Sequence, residues 1–225
     1  FVEQDPSGVT LAPKLDRDRL GEVAATVPTV VIGRHGPAEN FDTVAGDDVA
    51  GAQRVVDHLV ALGHQRIAFV AHDEADPDPR QPQVLRAEGY VQAMENHGLG
   101  GNIDIIPAEW AHRSGPAVWA ELKGRDQLPT AIFAGADLVA FSLLHEIWQA
   151  GLDIPRDISI VGYDDTPMAA LAPISLSSVS QQGEQMGQAA ARLLMERFAG
   201  RFKPVHLVLE PTLVPRRSSL GGGRS

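Results

Sequence analysis

Carboxylates stand where two strands run out, and that placement could serve ligand chemistry. Pro129-Thr-Ala-Ile-Phe-Ala-Gly-Ala-Asp137, then a helix, then Ile154-Pro-Arg-Asp-Ile-Ser-Ile-Val-Gly-Tyr-Asp-Asp-Thr166 read as strand, helix, strand. Asp137 ends the first strand, and Asp164 and Asp165 end the second. Stretches 130–134 and 158–162 are apolar without alternation, the pattern of parallel strands covered by helices on both faces. Open parallel sheets bind ligands just past the carboxyl ends of their strands, so these acids mark a binding site. A carboxylate there accepts hydrogen bonds from hydroxyl or N–H groups, and pairs such as Asp47-Asp48 or Asp164-Asp165 have the oxygen donors that suit Mg²⁺. Each also has a plainer reading, Asp165 as a turn or cap residue and Asp137 as a helix N-cap.

The elements that would position these acids alternate along the chain. The pattern predicts strand 9–12, helix 16–26, strand 29–32, a crossing segment 43–45 and helix 48–62 with Gly63 at its end. Strand 67–71, helix 85–97, strand 103–107 and helix 115–122 follow. Beyond the two acid-tipped strands come a strand at 176–180, the longest helix at 183–198, and a strand pair, 205–209 and 212–214, interrupted by Pro211. Such alternation is the mark of right-handed βαβ units. The stretch 73–82, with three Asp and three Pro, reads as a surface loop at a strand's carboxyl end, placed to form a lid.

Composition narrows the function. A formal charge of −10 argues against a broad nucleic-acid face, which needs clustered Lys and Arg. The apolar runs fall far short of the roughly 20 residues of a membrane span, and with 44% hydrophobic residues there is ample material for a packed core. Zero cysteines exclude disulfides and thiolate metal sites and fit a reducing, cytoplasmic interior. Phe1 is no initiator, so the chain reads as truncated, and the Gly- and Ser-rich stretch 218–225 reads as a mobile end. Phosphate loops, nucleophile elbows, dinucleotide fingerprints and paired-His metal motifs are all missing. No catalytic residue, metal or cofactor is expected.

Seven blocks together carry a resemblance. They are Val27-Pro-Thr-Val-Val-Ile-Gly-Arg34, Asp47-Asp-Val-Ala-Gly-Ala52, His58-Leu-Val-Ala-Leu-Gly-His-Gln-Arg-Ile-Ala-Phe69, Arg86-Ala-Glu-Gly-Tyr90, Pro129-Thr-Ala-Ile-Phe133, Asp157-Ile-Ser-Ile-Val-Gly-Tyr-Asp-Asp165 and Leu213-Val-Pro-Arg-Arg-Ser218. In order and over nearly the whole chain, they resemble the lactose-repressor (LacI/GalR) family of bacterial transcription regulators. The resemblance implies a type I periplasmic-binding-protein-like α/β fold of two Rossmann-like, parallel-sheet subdomains joined by three crossing strands. It assigns residues 1–45 and 181–210 to an incomplete N-terminal subdomain, and 46–180 with 211–217 to the C-terminal one. It also implies a small-molecule effector in the cleft, a sugar before a nucleobase-like compound, a homodimer, and operator DNA read by an N-terminal helix-turn-helix that this chain lacks. A transporter's sugar receptor would share the fold and is the alternative; a signal peptide upstream would distinguish it.

By the same resemblance, Arg86 reaches the cleft with its planar fork, Trp110 stacks on the bound ring, and Asp164 accepts hydrogen bonds from the effector. The bland readings are a solvated surface Arg86 and a core Trp110. Arg80 matches a second cleft arginine of purine-responsive members, against a solvated loop position. Ala136 and Gly33 stand where many sugar-responsive members carry Asn and Asp, so two polar sugar contacts are replaced. Phe141 and Leu144, three apart on one helical face, with Met168 and Leu171 match the family's dimer surface, against a role in the core.

Overall fold

A computed structural model describes residues 17–33, 36, 40–72, 81–108 and 114–220. The expected strand 9–12, loop residues 73–80 and tail residues 221–225 lie outside them. The strands divide between two sheets. In the smaller, β1 (Val30–Ile32), β2 (Asp42–Gly46) and β8 (His206–Leu209) run parallel in the order β1-β2-β8. The larger has the order β4-β3-β5-β6-β7-β9, from β3 (Ile67–His72), β4 (Asp104–Ala108), β5 (Ala131–Ala134), β6 (Ser159–Asp164), β7 (Ser177–Ser180) and β9 (Thr212–Val214). Its strands are parallel except β9, which runs antiparallel to β7.

Two assignments change. The segment 43–45 is no connection but the centre of β2, wholly buried between β1 and β8. A five-residue buried strand with partners on both edges satisfies more backbone groups than an exposed crossing would. Nor do the last two strands pair with each other, since β8 closes the small sheet and β9 edges the large one.

Both faces of the large sheet are covered, as its unalternating strands require. Helices α2 (Asp48–Ala61) and α3 (Pro82–Asn96) cover one face, where Val55, Val56, Leu59, Tyr90 and Met94 meet Ile67, Phe69, Phe133 and Val161. Helices α4 (Ser114–Lys123) and α5 (Asp137–Gln149) cover the other, where Val118, Leu122, Leu143 and Ile147 meet Val70, Ile132 and Ile160. Successive residues of β5 point to opposite cores, as the strand period of two demands. The small sheet is covered by α6 (Gly183–Phe198) through Met186, Ala189, Ala190 and Leu193, and by α1 (Arg17–Thr26) through Leu20 and Ala24.

The expected mobile end at 218 is also revised. Ser218 and Ser219 are buried. Ser218 Oγ donates to Ile160 O at 2.6 Å and accepts from Ser177 N at 2.8 Å. Ser219 Oγ lies 2.6 Å from Ser177 Oγ and 2.8 Å from His58 Nε2. Hydroxyls that can bond buried backbone groups are worth more inside than in water.

Asp42, at the start of β2, pins α6 to the small sheet. Its buried carboxylate receives Arg197 Nε and NH2 at 2.8 Å each, Arg201 NH2 at 2.6 Å and Val205 N at 2.8 Å. Burial alone would raise its pKa, but these donors outweigh it and hold the group at about 2, below the ordinary 3.8. The resulting stability, on the order of 2 kcal/mol, is present above pH 3.8 and lost as pH falls through about 2. Asp42→Asn should therefore cost about 3 kcal/mol near neutrality, and its deficit against wild type in urea denaturation should narrow with acidification. A deficit that stays constant down to about pH 2 would show that charge is not its source.

Candidate functional site

The motif Arg86-Ala-Glu-Gly89-Tyr90 on α3 explains how one end of the site is built. A Cβ on Gly89 would stand 2.3 Å from Val49 O and 2.9 Å from Ala52 Cβ, so only glycine lets α3 settle this closely onto α2. Next to it, Tyr90 donates to Ile67 O at 2.7 Å and accepts from Asp104 N at 2.9 Å. Burial, foremost, pushes its phenol up to about 12, so it stays a donor. With α3 fixed on α2 and against β3, Arg86 is carried to the carboxyl ends of β5 and β6.

Arg86 is 2% exposed. Its Nε donates to Asp48 Oδ1 at 2.8 Å and its NH1 to Gly135 O at 2.7 Å. The guanidinium carbon stands 3.9 Å from the centroid of the Tyr163 ring, and NH2 is 3.9 Å from Asp164 Oδ1. The solvated helix surface of the plainer reading does not describe it. Below it, Phe69, Phe133 and Tyr163 form a row of rings with centroids 4.7 Å and 6.3 Å apart. Burial, then the Asp48 carboxylate, raise the Tyr163 phenol well above its usual range. Asp48 and Tyr163 are the partners that sequence reasoning did not single out for Arg86. An acid at the start of the helix preceding the motif was the signal that could have found one of them.

The three acids differ in environment. Asp164 ends β6 with φ of 109°, and its Oδ1 accepts from Gln181 Nε2 at 2.6 Å. Asp165, with φ of 50°, turns the chain. Its N–H donates to Ser178 Oγ at 3.0 Å and its Oδ1 lies 2.7 Å from Arg216 NH2. Asp137 is buried and is not an N-cap, since Ala136 holds that position and Asp137 is the first helical residue. Its carboxylate accepts from Thr166 N at 2.7 Å, Thr166 Oγ1 at 2.9 Å and Ser178 Oγ at 2.6 Å. Burial raises its pKa against the pull of those bonds. Asp137 thus braces, from behind, the turn that presents Asp164.

Three connections between the sheets converge beside Asp164, at 46–48, 180–183 and 209–212. Asp47 N donates to Leu209 O at 2.9 Å, the Gln182 carboxamide bonds Thr212 Oγ1, and Arg54 pairs with Glu210. Asp47 caps α2 through Ala50 N at 2.9 Å while Asp48 holds Arg86, so this carboxylate pair is occupied by protein donors. Among the described residues no group of His, Asp and Glu could hold a metal ion.

The remaining expected site residues scatter. Arg80 and Trp110 lie outside the described residues. Gly33, with φ of 83°, directly follows β1 of the small sheet, its N–H bonded to Val44 O at 2.8 Å. Ala136 is 7% exposed and packs into the core under α4 and α5. Of the expected dimer residues, Leu144 is 2% exposed and belongs to that same core, because its position on α5 faces the sheet. Phe141 is half-buried against it. Met168 and Leu171 are 49% and 58% exposed. Beside them Leu144, Trp148, Ile154, Pro173 and Ile174 line a shallow apolar groove.

Residues 56–219 match the family model for a periplasmic binding protein-like domain. The fold superposes on a solved LacI transcriptional regulator from a Rhodococcus species with a TM-score of 0.85 and 33% identity, covering 92% of this chain and 75% of that one. The chain belongs to the LacI family. Another family relative, the HTH-type transcriptional regulator CelR of Thermobifida fusca, is 34% identical over 198 residues, 86% of this chain and 57% of that protein. A solved complex of the regulator CelR with cellobiose matches with a TM-score of 0.75 and 30% identity, over 90% of this chain and 69% of the other. This LacI-family chain thus spans little more than half the length of the CelR protein it resembles.

Removing Arg86 separates its structural part from any other. Arg86→Met keeps the apolar stem over Tyr163 but strands Asp48 in the interior, and should cost about 3–5 kcal/mol of stability. The double variant Arg86→Met with Asp48→Leu should recover most of that loss in thermal unfolding. Equal instability of single and double variants would show that the pair is not the source.

Proposed function

We propose that this chain is the effector-binding and dimerising part of a ligand-responsive transcriptional regulator, working in the cytoplasm, that takes a sugar between its two sheets. The observation that carries the reading is Asp164. It presents a carboxylate at the carboxyl end of β6, beside the connections that join the sheets, in a family whose members include a regulator solved with cellobiose. The sheets act as two subdomains, residues 46–180 with 211–217 against 1–45 with 181–210. Arg86 holds Asp164 in place electrostatically from beneath, and Trp110 offers a flat face to the sugar ring. DNA is read by a helix-turn-helix elsewhere in the whole protein, and effector binding changes operator affinity through differential affinity for two subdomain arrangements. Binding, not turnover, is the activity, and the regulators among the relatives support this over a transport receptor.

Calorimetry against a panel of mono- and disaccharides led by cellobiose, with free nucleobases alongside, tests the reading; a panel without a single binder would sink it. With a binder identified, Asp164→Asn should weaken affinity by about 1–3 kcal/mol, because a charge-assisted hydrogen bond loses its charge. Equal affinity in the variant would reduce Asp164 to a structural role.

The exposed pair Met168 and Leu171 beside the apolar groove forms the centre of a two-fold interface. Leu171→Lys should shift sedimentation from dimer to monomer at micromolar concentration without lowering the melting temperature of the fold. A variant that remains dimeric would move the interface elsewhere.

A further inference from the structure

We propose that Gln181 is the positioning residue that couples Asp164 to the small sheet, so that the site and the angle between the sheets share one side chain. The proposal rests on the reading of Asp164 as the ligand-binding carboxylate and extends it to regulation. Gln181 lies on the connection from β7 to α6. At one end of its carboxamide, Nε2 donates to Asp164 Oδ1 at 2.6 Å, on the large sheet. At the other, Oε1 sits 3.8 Å from where a Cβ on Gly46 would stand, and Met186 Cε from α6 comes within 3.3 Å of the same point. Gly46 is the last residue of β2, the central strand of the small sheet. A single planar group therefore bonds the carboxyl end of β6 at one end and, at the other, borders the space that a side chain on the last residue of β2 would fill.

The surrounding backbone limits how Gln181 can respond. Its neighbour Gln182 holds φ of 60° and ψ of 45°, and the Gln182 carboxamide is bonded to Thr212 on the third connection. Gln181 is thus clamped in sequence while its side chain bridges in space. A ligand hydroxyl that takes a place on Asp164 changes the acceptor on which Gln181 depends. The carboxamide then turns into the space over Gly46 that Met186 also borders, and the small sheet responds through β2 and α6. Bulk alone would not transmit this, because the link to Asp164 is a directional, charge-assisted hydrogen bond.

Amide hydrogen exchange on the full chain reads the coupling directly. The reporters are Asp165 N, bonded to Ser178 Oγ beside the site, and Asp47 N, bonded to Leu209 O on the connections beyond Gln181. In Gln181→Leu, which keeps bulk and removes the donor, both amides should exchange about fivefold faster or more, the equivalent of losing one hydrogen bond. Gln181→Glu, which sets a second carboxylate against Asp164, should produce a larger change at both. Gln188→Leu, an exposed substitution on α6, should leave both amides as in wild type. Cellobiose is the second probe: in wild type it should slow both amides, and in Gln181→Leu it should slow Asp165 while leaving Asp47 unchanged. Wild-type rates at Asp47 in Gln181→Leu and Gln181→Glu, or cellobiose protection of Asp47 that survives the Leu variant, would overturn the coupling. Absence of any cellobiose effect on wild type counts against the cellobiose reading alone, because the ligand-free comparison of variants still decides the role of Gln181.

Discussion

One buried ion pair fixes where everything else in the site can stand. Arg86 and Asp48 are both 2% exposed and 2.8 Å apart, on helices brought together by the missing side chain of Gly89. Such a pair is weak evidence for net stability, because desolvation offsets most of the Coulombic gain. What it supplies is geometry. The planar guanidinium serves a carboxylate, a backbone carbonyl and a ring face at once, a set that the point charge of a lysine could not match. The start of α2, the end of β5 and the end of β6 are thereby held in one arrangement, and the first of these is also where the chain leaves the small sheet.

Two wholly buried carboxylates, Asp42 at the far end of β2 and Asp137 behind the site, behave in opposite ways. Asp42 faces two arginines and titrates at about 2, whereas Asp137 faces hydroxyls and one amide and titrates above its ordinary value. At Asp137 burial, with the nearby Asp165 charge, outweighs the pull of its neutral donors, while at Asp42 two guanidinium groups and the Val205 amide together outweigh burial. A raised acid is favoured protonated in the fold, so the stability it contributes is full below pH 3.8 and falls away as pH rises through its folded value. Asp42 contributes in the reverse sense. Acidification therefore loosens the base of α6 while it relieves the turn behind Asp164, and the two sheets do not share one pH dependence.

Much of this was legible in the sequence because it follows from periodicity and strand ends. Unalternating apolar stretches gave the strands of a doubly covered sheet, and the acids at 164 and 165 fell at a carboxyl end as expected. What could not be read was partnership across sequence distance. Arg86 and Asp48 are separated by 38 positions, and a lone helical arginine looks the same whether it meets water, a ligand or a buried acid. Asp137 was misread as a cap because helix-start chemistry is local, while its three donors come from Thr166 and Ser178. Ser218 and Ser219 looked like a loose end for the same reason, since small polar residues resemble a tail until β6 and β7 offer them buried groups to bond.

Backbone strain gathers at the junction where Asp164 stands. Asp164, Asp165 and Gln182 all have positive φ without being glycine, and they gather where β6 and β7 end. Asp165 and Gln182, at 50° and 60°, are in the left-handed region, which Asp visits at modest cost. Asp164, at 109°, lies beyond it, where a residue with a Cβ costs on the order of 1–3 kcal/mol. Glycine would remove that strain and lose the carboxylate. The acid is held there by the Gln181 bond, the nearby Arg86 charge and the turn braced by Asp137. Neighbours that over-determine a strained conformation are what keep it in place, and here two lie on the large sheet's helices and one on the connection from β7 to α6. The residue proposed to meet the ligand is therefore also one whose conformation is tied to a connection between the two sheets.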